Sequence, residues 1–472
     1  MNKMKIVFLI VVCASVFFGT GNVCQTQNAV EAPLILPNTT ADMQHPDFWI
    51  NLLDHPDRVI LTRDQITEMN EKNRSRPVVI DDINGDPFSI ERIVQRKGFS
   101  VGAMYHPVYP LDITRFPGDS LRARFAHHRD LLNLELYDRR HVKYRDGVKR
   151  EIIERTNESI IPDTISPRYG LLVKRTLNRA MPMNEAAYRG EKGWLDYIQS
   201  TGLETAMPVA VLHESADRDW YYVRSEISFG WVPATHVAFA SRDGIEDYIH
   251  ARNFIVAVDH RIPIYSDPAF TVFLTDFYMG ARLRLVDKTG GGYTVDVPVR
   301  SADGSLDFIK GFIKPDAYVS IGYQPYTQRN IITTMFRVLN RPLGWADSDY
   351  ERDCCGTIRA VHKTFGIISG RWVTHILHAT DHVNAFPKET DKEVKYRILD
   401  SCEPGVCVIG NEWHIMMYLG KTAGKYYVIQ QNGLDYKTDD GTVMQVRRVC
   451  VNETESGPAF NADFWTEISE IK

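Results

Sequence analysis

The chain has 472 residues, of which 44% are hydrophobic and 24% are charged, and its formal net charge is −5. This composition is typical of a folded protein with a large core and excludes long disordered regions. The isoelectric point near 6.3 and the lack of a basic run argue against a nucleic-acid partner.

The first predicted element is a secretory signal at residues 1–23. Lys3 and Lys5 form its basic start, and a mostly apolar, uncharged run follows over 6–18. That run is too short to span a bilayer as a helix. We therefore expect an exported protein of the periplasm or cell envelope. A lipid anchor at Cys24 is the alternative to a fully soluble form.

The next predicted elements are helices and then short strands. Amphipathic spacing marks residues 45–73, where Thr62 or Asp64 is the expected N-cap of a helix. Residues 207–241 have the pattern of three strands separated by turns, and residues 282–299 that of a hairpin that turns at glycines. These β units have the size of small barrels.

The C-terminal third mixes both types of element. A helix is predicted over 327–340, and a second helix is predicted after Asp353. Strands are predicted at 413–420 and 425–431, with the last strands near 442–451. Helices followed by an antiparallel sheet indicate an α+β fold.

The stretch "YERDCCGTIRAVHKTFGI" places two adjacent cysteines, Cys354 and Cys355, at the start of that second helix. Asp353 is the expected N-cap, and Gly366 is the expected end of the helix. In the first turn, the free N–H groups and the helix dipole favour the thiolate, which is the form that a nucleophile needs. A disulfide between neighbours strains the peptide, and without a second CxxC a zinc corner is poorly supported.

A cysteine nucleophile requires a base, and His414 lies downstream in the apolar segment "WHIMMYLG". Gln430, in "YYVIQQNG", is predicted to lie one hairpin away, where its amide oxygen would accept the imidazole Nδ1–H. The predicted catalytic residues are thus Cys354, His414 and Gln430. A structural histidine and a polar glutamine at the strand edge are the plainer alternatives.

These landmarks resemble those of NlpC/p60 cell-wall peptidases. The order is the same: an Asp-Cys-x-Gly helix start, His414 in "H-x-x-x-Y-L-G", and Gln430 on the next strand. "HPDFWINLLDHPDRVILTRDQITEMN" resembles the N-terminal stabilising domain of multi-domain members. "DWYYVRSEISFGWVPATHVAFAS" is similar to their bacterial SH3-like module, with a second module after it. The resemblance covers nearly the whole mature chain.

The resemblance implies an α+β papain-like catalytic domain at the C-terminus, after two small all-β SH3-like barrels and a mostly helical or irregular N-terminal domain. We predict, in chain order, the signal peptide at 1–23, the stabilising domain at 32–165, SH3-like domains at 166–250 and 251–325, and the catalytic domain at 326–472.

The resemblance also implies an activity: hydrolysis of the γ-D-glutamyl-diamino acid bond of peptidoglycan stem peptides. In similar multi-domain members the substrate is a short peptide with a free N-terminal L-Ala. On that model Cys354 attacks the carbonyl carbon, His414 transfers the proton, and Asp353 pairs with the substrate's ammonium group. We expect a monomer that needs no metal or cofactor.

The residues that the resemblance assigns to substrate binding are Asp353, Cys355, Arg371, Thr374 and Trp345. Several positions depart from the family pattern. Cys355 stands where serine is usual, "LGWAD" replaces "Y-G-W-G-G", and Gln430 stands where histidine is more frequent. Thr374 takes the place of a serine. These departures concern the substrate pocket more than the nucleophile and the base.

A metal enzyme is the first alternative. In "THILHATDH" the helical spacing of the histidines is suited to zinc. The residues of this cluster are His375, His378, Asp381 and His382. Elsewhere, Cys402 and Cys407 ("CEPGVC") are close enough in sequence to close a small disulfide loop in an exported protein.

The second alternative is a catalytically weak or inactive protein that binds cell-wall peptides. Trp220, Tyr221 and Trp231 in the first β unit would then form an exposed aromatic surface. Core packing of a small barrel is the competing explanation for the same three residues.

Overall fold

A computed structural model describes residues 34–75, 109–377, 384–385, 390–410, 414–433, 435–437, 443–455 and 470–471. The predicted signal at 1–23 and Cys24 lie outside these ranges. Within them, no helix has both the length and the apolar character needed to cross a membrane.

The N-terminal region is built from short helices and small strand pairs. Its described α-helices are Pro46–Ile50, Arg63–Ser75, Gly118–Leu132 and Asp146–Arg155. Its strand pairs are Phe116–Pro117 with Thr164–Ile165, and Leu136–Tyr137 with Tyr188–Arg189. Thr62 is the predicted cap that the structure uses. Its Oγ1 accepts from the Gln65 backbone N–H at 3.3 Å, and Gln65 Oε1 accepts from the Thr62 N–H at 2.8 Å.

The Pro46–Ile50 helix ties this region to the C-terminal sheet. Trp49 is fully buried, and its Nε1 donates to the carbonyl oxygen of Met43 at 2.9 Å. The indole ring lies 5.3 Å, centroid to centroid, from the ring of Tyr427. The paired donor satisfies the polar edge of the indole, so the remaining ring surface is free to pack in the core.

Two seven-stranded antiparallel sheets form the centre of the chain. The first has the spatial order Val237–Phe239, Arg168–Leu172, Pro208–Glu214, Trp220–Arg224, Phe229–Pro233, Thr176–Arg179 and Gln199–Leu203. The second has the order Phe273–Tyr278, Arg261–Tyr265, Leu306–Ile313, Gly292–Arg300, Arg282–Thr289, Phe254–Ala257 and Val319–Ile321. The Arg242–Ile249 helix lies between them in the chain. The predicted strands at 207–241 and the hairpin at 282–299 are confirmed.

The C-terminal region packs helices on a six-stranded sheet. Its helices are Gln328–Phe336, Cys354–Thr364, Val373–Leu377 and Lys392–Asp400. The order of the sheet is Asn384–Ala385, Glu470–Ile471, Val408–Gly410, Ile415–Thr422, Lys425–Asn432 and Arg448–Glu453. A separate hairpin pairs Asp435–Lys437 with Val443–Gln445. The Cys354–Thr364 helix contacts the two long central strands.

The predicted α+β class is confirmed, while several element ends differ from prediction. The helix predicted over 327–340 spans Gln328–Phe336, with the Thr327 hydroxyl accepting from the Asn330 N–H as its N-cap. The strand predicted from 413 begins at Ile415, so His414 directly precedes the strand instead of lying within it. The domain boundaries stay predictions.

Candidate active site

The Cys354–Thr364 helix begins as predicted. Asp353 is its N-cap, and Asp353 Oδ1 accepts from the Gly356 backbone N–H at 2.8 Å. Ile358, Val361 and Phe365 are buried, so this face anchors the helix on the sheet. Because the packing of this buried face holds the helix in place, Cys354 in its first turn has a fixed position.

The structure brings the three predicted catalytic residues into one line. The Cys354 thiol and the His414 imidazole interact, which lowers the pKa of the thiol and raises the pKa of the imidazole, and the Ile415 backbone N–H also lowers the pKa of the thiol. On its other side, His414 Nε2 lies 2.5 Å from Gln430 Oε1. The prediction that the Gln430 amide oxygen would accept from Nδ1 was wrong, because the nitrogen that it contacts is Nε2.

Asn452 completes this line and was missed in the sequence. Gln430 Nε2 donates to Asn452 Oδ1 at 2.6 Å, so the amide oxygen of Gln430 must face His414. In the neutral imidazole Nε2 therefore carries the proton, so Nδ1 is the nitrogen that can accept one. The available signal was the pair of polar residues, Asn452 and Glu453, that ends the strand "RVCVNE"; both are buried, and the strand pairs with the one that carries Gln430.

Electrostatics favour a thiolate at Cys354. The hydrogen bond from the Cys355 thiol lowers the pKa of Cys354, and the positive charge of His414 lowers it further against the effect of burial. Burial acts to lower the pKa of His414, but the Cys354 thiolate and Gln430 outweigh burial, so the pKa of His414 is raised. The two shifts widen the pH range in which a thiolate–imidazolium pair exists.

Cys355 has a defined role in this arrangement. It is buried, and its Sγ lies 4.0 Å from Cys354 Sγ. We expect Cys355→Ala to remove the donor, raise the pKa of Cys354 and move the acidic limb of the kcat/KM profile to higher pH. Cys355→Ser keeps an O–H donor and is the matched control. Measured pH profiles that coincide for the alanine and serine variants would contradict this role.

Of the other assigned residues, Arg371 lies against Asp353. The Arg371 guanidinium forms a buried, two-bond ion pair with the Asp353 carboxylate, one bond being Nη1 to Oδ1 at 3.3 Å. Burial raises the pKa of Asp353 to about 6, although Arg371 acts to lower it. Trp345 is 40% exposed, and its side chain makes no hydrogen bond or ring contact within the part of the chain that the structure describes. Thr374 lies in the Val373–Leu377 helix, and its side chain is outside the described residues.

The segment before the nucleophile has an unusual backbone. Ala346 and Asp347 have φ values of 49° and 61°, in the left-handed region that favours glycine. In the family pattern these two positions are glycines, which adopt such φ values without strain. An aspartate tolerates this region better than most residues, and here its side chain is used.

Asp347 is a buried anion at the start of the nucleophile helix, and in the sequence it is visible only as a departure from the family pattern. Its Oδ2 accepts from Thr201 Oγ1 and from Arg359 Nη2, each at 2.9 Å. Its Oδ1 accepts from the Asp353 backbone N–H at 3.3 Å. A Cβ on Gly356 would lie 1.8 Å from Asp347 Oδ1, so the glycine of "DCCG" leaves room for this carboxylate. Asp347 therefore joins the first seven-stranded sheet to the start of the nucleophile helix.

The structure also places the residues of the alternative sites: the aromatic surface, the histidine cluster and the second cysteine pair. Trp220, Tyr221 and Trp231 are buried, so the exposed aromatic surface was wrong and core packing is the explanation. Of the histidine cluster, only His375 is described, and it is buried; His378, Asp381 and His382 lie outside the described residues. Cys402 and Cys407 are free thiols that are hydrogen-bonded to each other, and the bond lowers the pKa of Cys402.

Comparisons with known proteins agree with this architecture. A family model of an SH3 domain (SH3b1 type) matches residues 186–233. The chain is similar in structure to an NlpC/P60 endopeptidase from Photobacterium damselae subsp. piscicida, with 16% identity, a TM-score of 0.69, and coverage of 90% of this chain and 96% of that one. An NlpC/P60 family protein from Bacillus cereus aligns with 17% identity over 58% of this chain and 82% of its own, with a TM-score of 0.40. No curated protein sequence matches.

The fold and site thus define an α+β architecture with a cysteine–histidine–glutamine line and an SH3 module. The architecture is shared with the Photobacterium endopeptidase over nearly the full length of both chains. The predicted resemblance to the NlpC/P60 fold is confirmed.

Proposed function

We propose that this protein is a cysteine endopeptidase that hydrolyses the γ-D-glutamyl-diamino acid bond of short peptidoglycan peptides. The observation that carries the proposal is the line Cys354–His414–Gln430, held on a fold shared with an NlpC/P60 endopeptidase. A protein that only binds peptide has no need of a hydrogen-bonded thiol and imidazole. The buried aromatic residues of the first sheet further weaken the binding-protein alternative.

The proposed chemistry follows from the positions of the protons. Cys354 attacks the amide carbonyl after γ-D-Glu, while His414 Nδ1 receives the thiol proton and then gives it to the leaving amine. Gln430 keeps Nε2 protonated and holds the ring in place. The backbone N–H of Cys354 would stabilise the oxyanion. Water then hydrolyses the thioester and regenerates the thiol.

The direct test uses the tripeptide L-Ala-γ-D-Glu-diaminopimelate. We expect the full chain to release L-Ala-γ-D-Glu and free diaminopimelate, identified by mass spectrometry. An isomer with an α-linked D-Glu is the matched control and should stay intact. Tripeptide that remains uncut under reducing conditions would refute the proposed reaction.

Asp353 is the proposed partner of the substrate's free ammonium group. A carboxylate has about four lone-pair sites, so it can accept from an ammonium ion as well as from Arg371. Asp353→Asn keeps the N-cap and the shape but removes the charge. We expect kcat/KM for the free-amine tripeptide to fall by about 10- to 100-fold, as for the loss of one charged hydrogen bond. The value of kcat/KM for the N-acetylated tripeptide should change little. An equal loss of kcat/KM on both substrates would mean that Asp353 acts only as a helix cap.

We further propose that the substrates are short and free-ended. The strand Gln199–Leu203 packs against the segment Trp345–Tyr350, directly before the nucleophile, and supports a wall on one side of the site. Intact sacculi should therefore be cut far more slowly than the free tripeptide, measured as product released at equal substrate concentration. Comparable rates would exclude such a wall. Export to the periplasm or cell envelope is part of the proposal and depends on the predicted signal at 1–23.

A further inference from the structure

A cavity of about 320 Å³ lies at the end of the nucleophile helix that is opposite Cys354. Lys363, in the last turn of that helix, lines the cavity, as does one face of the Arg63–Ser75 helix. Both seven-stranded sheets also contribute, the first through Pro208 and the second through Arg282. The helix rises about 14 Å between Cys354 and Lys363. The cavity is therefore separate from the residues that the proposed hydrolysis uses.

Three arginines line this cavity in a row. Arg63 and Arg74 begin and end one helix face that is about 16 Å long. Arg282 is linked to both of them. The guanidinium carbons of Arg63 and Arg282 lie 4.7 Å and 5.7 Å from the centroid of one ring, that of Tyr323. Burial lowers the pKa of His250, and the positive charges of Arg282 and Arg74 lower it further. Arg282 thus lies between the other two charges.

The guanidinium groups of these three arginines have no carboxylate partner within the described ranges. Arg63 donates to two backbone carbonyl oxygens. Arg282 donates to the Tyr323 hydroxyl at 3.2 Å and to a backbone carbonyl oxygen at 3.0 Å. Arg74 stacks on the ring of Tyr109, 5.5 Å from its centroid, and makes no hydrogen bond to the described residues. Neutral acceptors satisfy N–H groups but do not neutralise the charge.

The rest of the lining does not supply the missing negative charge. Most of its other charged side chains have a partner of opposite charge at 3.6 Å or less; they are Arg284, Lys363, Glu204 and Glu226. Glu71 is the remaining carboxylate, and it forms no ion pair with the part of the chain that the structure describes. Three unpaired guanidinium groups against one unpaired carboxylate leave the cavity with an excess of positive charge.

We propose that this cavity binds an elongated organic molecule with two anionic groups, carboxylates or phosphates, one near each end. Arginine pairs bidentately with both kinds of group. Arg63 and Arg74 are exposed and Arg282 is partly buried, so a ligand reaches all three from solvent. Buried apolar residues such as Ile66 and Met207 also line the cavity and suit a carbon skeleton. The volume is at the lower end of the range for small-molecule sites, about 300–1,000 Å³.

Isothermal titration calorimetry of the full chain tests the site with two probes, adipate and fructose 1,6-bisphosphate. Each has a matched ligand, hexanoate or fructose 6-phosphate, which keeps the carbon skeleton but has one anionic group fewer. We expect at least one probe to bind at one site per chain with a Kd below about 1 mM. Its matched ligand should bind about 10-fold more weakly, as for the loss of one charged hydrogen bond. The probe that binds more tightly identifies carboxylate or phosphate as the preferred group.

Substitutions then locate the binding. Arg74→Gln alters an exposed side chain and removes no hydrogen bond to the described residues, so the fold should persist. We expect it to weaken the Kd about 10-fold, and Arg282→Gln to do at least the same. Arg337→Gln is the matched control, since Arg337 also stacks on a tyrosine, 3.3 Å from the centroid of Tyr318, but lies outside the cavity. The thermal unfolding midpoint without ligand checks the fold of each variant.

Bound ligand should also raise the thermal unfolding midpoint of the wild type, because it binds only the folded chain. A Kd above about 1 mM for both probes would overturn the proposal. Equal affinities for each probe and its matched ligand, or a Kd that Arg74→Gln and Arg282→Gln leave unchanged, would do the same. None of these measurements involves the tripeptide, so the site and the proposed hydrolysis stand or fail separately.

Discussion

Cys354→Ala is expected to lower kcat for L-Ala-γ-D-Glu-diaminopimelate by at least about 10⁴-fold, as for removal of a nucleophile from a catalytic triad. The alanine variant lacks the only protein atom that bonds to the substrate carbonyl carbon in the proposed mechanism. Cys354 is a partly buried residue packed against the core that contains Ile358, Val361 and Phe365, and alanine keeps its Cβ, so helix packing should persist. Product release followed by mass spectrometry gives the rate, and the thermal unfolding midpoint checks the fold.

Cys402→Ala is the matched control for this substitution. Cys402 is also a partly buried free thiol, but it precedes the strand Val408–Gly410 and has Cys407 as its partner. The control should keep wild-type kcat. Turnover of the Cys354→Ala variant within about 10-fold of wild type would rule out covalent catalysis by Cys354.

Asp347→Ala is expected to destabilise the protein by about 3–5 kcal/mol, the cost of breaking a buried ion pair. The substitution leaves the Arg359 guanidinium and the Thr201 hydroxyl without their buried acceptor. It also removes the carboxylate that accepts from the Asp353 N–H, where the nucleophile helix begins. Urea denaturation of the full chain gives the change in the free energy of unfolding, and kcat should fall together with stability.

The neighbouring Asp349 provides a closely matched control. It is the same residue type in the same segment, with a similar left-handed φ of 52°, but its side chain is 70% exposed and its nearest cation, Arg139, is 3.9 Å away. Asp349→Ala should change the free energy of unfolding by less than about 0.5 kcal/mol. Equal destabilisation by both substitutions would attribute the effect to the backbone and not to the buried carboxylate.

The contribution of the Asp347 carboxylate to the free energy of unfolding depends on pH with a defined sign. Burial acts to raise the pKa of Asp347, but Arg371, Arg359 and other buried arginines outweigh it, so the folded-state pKa lies below the ordinary value. The stabilisation is therefore fully present above the unfolded pKa of about 3.9 and is lost as the pH falls through the folded value. Between neutral pH and about pH 5, a change in the difference between wild type and Asp347→Ala should therefore come from Asp353, whose pKa the charge of Asp347 raises, and not from Asp347 itself.

The local sequence was sufficient to predict the nucleophile, Cys354, and the N-cap of its helix, Asp353. An aspartate one residue before Cys354, and apolar residues three and four positions apart after it, predict a helix start with a cysteine in its first turn. The same kind of local pattern placed the strands at 207–241 and the hairpin at 282–299. Elements are predictable in this way when their burial pattern has a regular period.

The position of His414 and the ring nitrogen that contacts Gln430 could be read only from the folded chain. His414 was predicted inside a strand and with its other nitrogen toward Gln430, because a single segment does not show which ring atom meets which neighbour. Asn452, which orients Gln430, comes from a strand that pairs with the strand of Gln430. Its role depends on strand register, and register is a property of the assembled sheet.

The sequence by itself thus determined the fold class, the cysteine at the helix start, and histidine and glutamine as its partners. These follow from residue periodicity and from motif order along the chain. Only the tertiary structure decided the part played by Asp347 and the role of Cys355. Asp347 is a surface-type residue in a stretch without periodicity, and its contacts reach Thr201 and Arg359 across the fold. A charge in such a place is stabilised by partners distant in sequence, so only the folded arrangement reveals what it does.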